Sequence, residues 1–476
     1  MLSVICLTLL TPIALARPFD GQWCEYQSPH VVLITDLKER RARRALAELH
    51  RFRHLFDTLF PRTDTPSYPP ARVLFFRHQR DFIAATNSTH FAGFTVPGLY
   101  EYLILLGPLS TDTTSNSLLH EYAHYLMRTR QDVSYPMWYE EGLATYLGAV
   151  GYRKKGAVLG ELPGDRGRDI TQHESLSWQA MVDTTSLSNW SHRRLTAFYN
   201  KSWFVVHFLR LGQYVGFPDR REQLAAYIAS SQRSFEASFA VTPENLGITV
   251  NRYLRKRRVP VERLNFAPPD APVAQRQCLT DAERDLQLGH SLAQHAPALA
   301  RSLLEPLVHA NPQPTSLVAL SRAQAQDPDM HTLPALKTAD RALELTPDFA
   351  PALIQRANLS IRSCVFIDGA QCAQRWRNAA EDYRKALRSD PARYDAAFGL
   401  GVAYLHAGRA GDALNYLRVA HDKAPWAAPV NFYLGEGYRI VGDTRSVRHL
   451  ENARHWAADA LWRSRAEAAL ERLKTR

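Results

Sequence analysis

Prolines recur at a nearly constant interval through the C-terminal part of this 476-residue chain. Each closes one unit, and successive prolines are 35, 44 and 34 residues apart: Pro312, Pro347, Pro391 and Pro425. Small or apolar residues stand 5, 8 and 12 positions before each one, as Ala420, Leu417 and Ala413 do before the last. Such a period is typical of helix pairs, which cannot bury their apolar faces alone and must stack. The sequence therefore predicts an all-α solenoid here.

The clearest unit begins at Tyr394, and its Leu400-Gly401 and Tyr404 are repeated 34 residues later as Leu434-Gly435 and Tyr438. This pattern resembles the tetratricopeptide repeat, and about five units fit between residues 278 and 476. The resemblance implies a surface that binds peptides or protein partners. A passive scaffold that rigidifies or dimerises the protein is the alternative.

The first residues predict export. An apolar run from Leu2 to Ala16 ends in Ala14-Leu15-Ala16, the small-x-small pattern of a signal peptide covering residues 1–16. No basic residue precedes the run, and a buried N-terminal helix or a misassigned start codon is the alternative. No other run approaches 18 apolar residues. We therefore expect a periplasmic or extracellular protein with no transmembrane span in its mature form.

Four cysteines follow this segment: Cys24, Cys278, Cys364 and Cys372. An even number in an exported chain is compatible with two disulfides, and four cysteines allow three pairings. Cys364 and Cys372 are the favoured pair, because they lie eight residues apart in the extra residues of the longest unit. The other two would then join the mature N-terminus to the start of the repeats. None has CxxC spacing, so we do not expect them to bind metal.

The chain is basic, with a formal net charge of +11 and a pI of about 9.4. Its most basic segment, residues 38–44, leads into a helix whose apolar face holds Leu46, Leu49 and Phe52, so its arginines should be solvated. Without interleaved aromatic residues or a known motif, the charge predicts no nucleic-acid partner. It suits contact with anionic envelope surfaces.

The segment HEYAH at residues 120–124 carries the clearest chemistry. Residues i and i+4 share one face of a helix, so His120 and His124 can bind a single metal ion. Glu121 lies beside them and is the candidate general base that activates a water molecule. A catalytic zinc site needs a third protein ligand and an open position.

A second helix is predicted to begin at Pro136, in the segment PMWYEEGLA. Adjacent carboxylates on a helix diverge by about 100°, so only one of Glu140 and Glu141 can face the metal. The pattern W-x-x-E-G-apolar-A resembles the third-ligand helix of gluzincin metallopeptidases. The resemblance assigns Glu141 as the ligand of one Zn²⁺ per chain. Glu140 is then expected to be a surface carboxylate.

Residues 199–203, YNKSW, resemble the Tyr-x-Lys-Gly motif of gluzincin aminopeptidases, with Ser202 in place of glycine. The resemblance implies that Tyr199 stabilises the oxyanion. A packing tyrosine is the alternative, and His192 and His207 are rival candidates for the role. We also expect Thr145 to hydrogen-bond a ligand histidine. The resemblance to gluzincins implies that the strand at residues 102–106 offers its edge to an extended substrate.

Residues 25–210 together resemble a peptidase MA-like domain of bacterial exported proteins, which is often joined to tetratricopeptide repeats. The resemblance implies an α+β, zincin-like metallopeptidase domain with a small mixed sheet, followed by the all-α tetratricopeptide solenoid. The expected order is a signal peptide (1–16), the peptidase domain (17–258), a linker with four prolines (259–277) and the repeats (278–476).

The expected function is a zinc-dependent peptidase that acts on a peptide or protein substrate. A metalloendopeptidase is favoured over an aminopeptidase, because no acidic anchor for a free amine precedes His120. One alternative is a tetratricopeptide scaffold or binding protein whose peptidase-like domain is not catalytic. Another is non-peptidase hydrolysis at the same zinc, such as amide cleavage in cell-wall peptides.

Overall fold

The computed structural model describes residues 18–474 apart from short gaps at 63–66, 90–91, 109–112, 131–134, 162–175, 188–189, 231–233, 257–258, 266, 268–269, 271–272, 331, 366–369 and 458. The predicted signal peptide lies outside the described residues. Among the residues that are described, no helix is both long enough and apolar enough to cross a membrane.

The N-terminal part contains a six-stranded mixed sheet. Its strands are β1 (Cys24–Gln27), β2 (Val31–Thr35), β3 (Ala71–Phe75), β4 (Gly93–Pro97), β5 (Tyr102–Leu106) and β9 (Gln275–Cys278), in the order β4-β5-β3-β2-β1-β9. The central strands β2, β3 and β5 run parallel, and β4, β1 and β9 pair antiparallel with their neighbours. A second, antiparallel sheet holds β6 (Gly151–Arg153), β7 (Gly156–Leu159) and β8 (Glu262–Leu264).

Helices pack around these sheets. They are α1 (Glu39–Leu59), α2 (Gln79–Thr86), α3 (Thr113–Arg128), α4 (Met137–Gly148), α5 (Trp178–Val182), α6 (His192–Leu211), α7 (Arg221–Ala229), α8 (Phe235–Phe239) and α9 (Pro243–Leu254). The small mixed sheet and its helices agree with the α+β architecture expected for this part of the chain.

The central strands are mainly apolar, because both faces of the sheet are buried. Leu33, Val73 and Ile104 belong to one core, shared with α1 and α3. Ile34 and Leu74, which point to the opposite face, belong to a second core. That second core also contains repeat residues such as Leu288 and Leu292. The repeats therefore cover one face of the N-terminal sheet.

Residues 259–277, expected to be a linker from their prolines, contribute two of these strands. β8 pairs with β7, and β9 pairs with β1. Cys24 and Cys278 are directly opposite each other in the β1–β9 pair and form a disulfide. The second disulfide joins Cys364 to Cys372. The segment is thus attached to both sheets of the N-terminal part.

The C-terminal part consists of stacked helix pairs, as the proline period predicts. The helices are α10 (Asp281–Leu292), α11 (Pro297–Ala310), α12 (Pro314–Gln326), α13 (Thr332–Leu345), α14 (Ala350–Ser360), α15 (Ala370–Ser389), α16 (Tyr394–His406), α17 (Ala410–Lys423), α18 (Ala428–Ile440), α19 (Arg445–Trp456) and α20 (Ala460–Lys474). Each periodic proline lies two residues beyond the end of a pair, where proline stops a helix.

The Leu-Gly dipeptides of the last two units let the helices of a pair approach closely. A methyl group on Gly401 would lie 2.8 Å from Cγ of Leu417, and one on Gly435 would lie 2.8 Å from Cγ of Leu450. Any larger side chain at either position would force the two helices apart. The repeat signature is therefore a packing requirement.

The repeats hold the turn between β4 and β5. Trp426 Nε1 donates to the Gly98 carbonyl at 2.9 Å, and the Tyr394 hydroxyl donates to the Tyr100 carbonyl at 2.8 Å. Asn358 Nδ2 donates to the Tyr100 hydroxyl at 3.1 Å. These contacts place the repeat array directly behind the part of the sheet that leads into α3.

Candidate metal centre

Helix α3 presents the two histidines of the HEYAH segment to one point. Its apolar side, including Leu119, Tyr122 and Leu126, is buried in the core shared with the sheet. That burial fixes the rotation of the helix, so the opposite side carries the histidines. The Nε2 atoms of His120 and His124 are 3.2 Å apart.

Helix α4 brings the third candidate ligand. Oε2 of Glu141 lies 3.4 Å from Nε2 of His120 and 3.4 Å from Nε2 of His124. Gly142, the next residue, sits where α4 contacts α6: a methyl group there would lie 2.7 Å from the carbonyl carbon of Ser202. The glycine of the WYEEGLA segment thus permits the close helix contact that holds Glu141 in place.

The three atoms have the spacing that a tetrahedral zinc ion requires. Bonds of about 2.0–2.2 Å at tetrahedral angles separate ligand atoms by about 3.3–3.6 Å. The observed separations are 3.2, 3.4 and 3.4 Å. Oε2 of Glu141 is also buried without a hydrogen bond of normal geometry. Within the described part of the chain, this is the one cluster of three such side chains close enough to share an ion.

Glu140 was expected to be a surface carboxylate, but the structure buries it. It is 4% exposed, and its Oε1 accepts hydrogen bonds from His124 Nδ1 at 3.0 Å and from Arg128 Nε at 2.7 Å. Its Oε2 accepts from Trp456 Nε1 at 3.0 Å. A buried carboxylate is stable when several donors surround it, and here they come from α3 and α19. Glu140 fixes the tautomer of His124 in which Nε2 is free to bind a metal.

The carboxylates around His124 favour positive charge on its imidazole ring. Burial lowers the pKa of His124, but the carboxylates of Glu141 and Glu140 outweigh it and raise that pKa to about 10. Burial acts to raise the pKa of Glu141, and the two histidines nevertheless hold it well below its usual range. The negative side chains thus create a site that attracts positive charge, which a proton or a metal cation can supply.

Glu121 lies at the junction of α3 and β4. A methyl group on Gly93 would come within 3.3 Å of its Oε1. Burial raises the pKa of Glu121, and His120 and His124 partly counteract that effect. A carboxylate with a raised pKa is better suited to accept and return a proton near neutral pH.

Tyr199 projects from α6 toward the histidines, and its ring centroid lies 6.2 Å from that of His120. Burial, together with the charges of Glu141 and Glu121, raises the pKa of its hydroxyl well above 10. The phenol therefore stays protonated and can donate a hydrogen bond. The structure places it beside the predicted ligands.

The two rival histidines lie elsewhere. His207 is buried, with Nε2 donating to the Gly160 carbonyl at 3.0 Å and Nδ1 accepting from the Tyr253 hydroxyl at 2.8 Å. His192 is exposed at the first position of α6. Thr145 was expected to hydrogen-bond a ligand histidine, and its Oγ1 lies 3.4 Å from His120 Nδ1. The hydroxyl donates to the Glu141 carbonyl at 2.8 Å.

The strand expected to offer its edge is interior. β5 lies between β4 and β3, so its backbone is paired on both sides. β4 is the edge strand, and its first residue is the glycine beside Glu121. After β3 the chain forms the edge strand β4 first and then inserts β5 between β4 and β3. The order of the strands in the sequence does not reveal this arrangement.

Sequence reasoning also missed the contribution of Trp456, because no local pattern relates it to a residue 316 positions earlier. Arg128 could have been found, since it is four residues after His124 and shares its face of α3.

No protein-family model matches this chain, and no curated protein matches it. Among solved structures, a thermophilic TPR protein of Thermus thermophilus, TTC0263, is 22% identical, with 40% of this chain and 99% of that chain covered and a TM-score of 0.34. MamA from Desulfovibrio magneticus RS-1 is 19% identical, with 40% and 98% covered and a TM-score of 0.25. These similarities concern the helical-repeat fold alone.

Proposed function

We propose that this chain is a zinc-dependent peptidase of the gluzincin type, with the metal held by His120, His124 and Glu141. The observation that carries the proposal is the spacing of the three ligand atoms, all within 4.8 Å of one another and compatible with tetrahedral zinc. Zinc at this position would supply a Lewis acid that polarises a peptide carbonyl and acidifies water.

The side chains around the ligands have complementary roles in this proposal. Glu121 takes a proton from the attacking water and passes it to the leaving amine, and its raised pKa suits both steps. Tyr199 donates a hydrogen bond to the carbonyl oxygen as negative charge develops on it. Glu140 and Arg128 keep the imidazole of His124 in position.

The edge strand β4 supports an extended peptide as the substrate. No strand among the described residues pairs with its outer side, so a substrate backbone can add to it beside Glu121. β4 reads GFTVP and carries no carboxylate to bind a free amine, which favours a metalloendopeptidase over an aminopeptidase. The two disulfides suit an exported protein of the periplasm or extracellular space.

Metal analysis and one isosteric variant test the proposal. The purified chain should contain about one zinc, as expected for a three-ligand catalytic site, and His120→Ala should lose it. Glu121→Gln should keep the zinc and lose cleavage of unfolded protein substrates. Absence of zinc after reconstitution, or full activity of Glu121→Gln, would contradict the proposal.

A second candidate is repeat-based binding or scaffolding, with an N-terminal domain that is not catalytic. It is favoured by a cavity of about 410 Å³ between the repeats and the β4–β5 turn, lined by Arg322, Arg362 and Arg465 among others. Such a cavity suits an acidic partner. If this candidate is right, Arg322→Ala should weaken capture of the partner while no variant shows metal-dependent hydrolysis.

A further inference from the structure

Trp456 reaches the candidate metal centre from the last turn of α19. Its indole is 3% exposed, and Nε1 donates to Oε2 of Glu140 across 3.0 Å. Tryptophan has a single donor and no acceptor, so this bond accounts for its whole polar capacity. The contact is buried and joins the repeats to the N-terminal domain.

The same carboxylate controls a candidate ligand. Oε1 of Glu140 accepts from Nδ1 of His124 at 3.0 Å, so Nε2 of that ring is left to face Glu141 and His120. Arg128 donates to the same Oε1 and lies with its guanidinium carbon 5.9 Å from the Trp456 ring. Oε1 of Glu140 thus binds residues of the metal-binding helix α3, and Oε2 binds a residue of the repeats.

Loss of the indole donor would disturb the carboxylate. Its Oε2 would be buried without a partner, which is unfavourable for a charged group. Rotation of the carboxylate or entry of water would relieve that cost. Either change would loosen the hydrogen bond that orients His124.

We propose that Trp456 is a positioning residue of the metal centre, through which the repeat array sets the affinity of the N-terminal domain for its metal. The proposal rests on the proposed metal site of His120, His124 and Glu141. It assigns to the repeats a role in the chemistry of the site, besides any role in binding a partner.

The test compares two tryptophans of the repeats in the full chain. Trp456→Phe keeps an aromatic ring and removes the donor to Glu140. Trp426→Phe is the matched control, because Trp426 is also buried and also donates to the N-terminal domain, but to the Gly98 carbonyl. Zn²⁺ affinity is measured by competition with a chromophoric chelator, and the geometry of the site by the visible absorption of Co²⁺ substituted for zinc.

Removal of an outer hydrogen-bond partner typically weakens metal binding by about 10- to 100-fold, and Trp456 acts one bond further out. We therefore expect Trp456→Phe to weaken Zn²⁺ binding by about 3- to 30-fold and to shift the Co²⁺ spectrum. Trp426→Phe should leave both within about twofold of the wild type, since its hydrogen bond does not reach a ligand. If Trp456→Phe does not fold, Trp456→Leu, which also lacks a side-chain donor, is measured in its place.

The outcomes separate the two proposals. Metal binding by the wild type with equal affinities for Trp456→Phe and Trp426→Phe would overturn the positioning role and leave the proposed function standing. Failure of the wild type to bind zinc would overturn both.

Discussion

Gly93 and Glu121 occupy adjoining space, because a methyl group on Gly93 would lie 2.8 Å from Cγ of Glu121. The glycine is the first residue of the edge strand β4, and the glutamate is the candidate base on α3. The missing side chain of one residue thus provides the room for the other. This relationship ties the position of the base to the edge where we propose that substrate binds.

Gly93→Ala is therefore expected to displace Glu121 while leaving the metal ligands in place. Cleavage should fall by about 10-fold or more, because small misplacements of a catalytic group are costly. Zinc content should stay at one per chain. Steady-state cleavage and elemental analysis of the same preparation would check this, and unchanged cleavage would show that the base lies elsewhere.

Gly142→Ala is expected to destabilise the protein. The added methyl group would collide with the backbone of Ser202, which no side-chain rotation can relieve. A cost of about 1–3 kcal/mol in the free energy of unfolding is expected for such overpacking. Gly411→Ala is the matched control on α17: nothing lies within 4 Å of its position, and alanine favours helix by up to about 1 kcal/mol. Urea unfolding should show a lower free energy of unfolding for Gly142→Ala and an equal or higher one for Gly411→Ala.

Much of this architecture could be predicted from local sequence. The proline period fixed the repeat helices because each proline ends the pair beside it. The two histidines of α3 could be placed because four residues make one helical turn. In contrast, buried Glu140 is hydrogen-bonded by Trp456, which lies 316 residues later in the chain. Strand β9 pairs with β1, and the paired residues Cys24 and Cys278 are 254 residues apart. Contacts between such distant segments leave no local pattern.

Tyr199→Phe is expected to lower kcat on the order of 100-fold, as loss of one oxyanion donor does. KM and zinc content should change little, because the hydroxyl acts on charge that develops during the reaction. Tyr214→Phe serves as the control, since that side chain is 66% exposed. Equal kcat values for the two variants would show that Tyr199 is a packing residue and not an oxyanion donor.

Stability should fall as the pH drops below about 6.5. Burial lowers the pKa of His207 to about 4, with smaller opposing effects of the Gly160 carbonyl and Glu262 and a reinforcing one of Arg210. Between pH 6.5 and 4 the unfolded chain binds a proton that the folded chain does not, so the free energy of unfolding decreases toward acid.

The expected contribution is about 1.4 kcal/mol per pH unit from this histidine. His290, which is half-buried, and His421, which is buried, also have pKa values lowered to about 4 by desolvation, and they add to the slope. Urea unfolding between pH 4.5 and 7 measures it. His207→Gln should reduce the slope, and an unchanged slope would show that His207 is protonated in the folded protein.

Removal of the disulfide between Cys24 and Cys278 should cost more stability than removal of the one between Cys364 and Cys372. The first closes 254 residues and the second eight. The chain-entropy relation gives about 5.5 and about 2.5 kcal/mol respectively. Paired serine variants compared by urea unfolding would test this, and a larger loss from the eight-residue loop would contradict it.

The pairing of β1 with β9 also determines when the N-terminal sheet can be completed during synthesis. A ribosome adding about 5–20 residues per second needs roughly 13–50 s to travel from residue 24 to residue 278, so β1 waits that long for its second neighbour. Trp456 is made later still, 178 residues after Cys278. A nascent chain therefore carries the HEYAH helix long before Glu140 has its last hydrogen-bond donor. The candidate centre therefore gains its full set of hydrogen bonds only after the whole N-terminal domain has been synthesised.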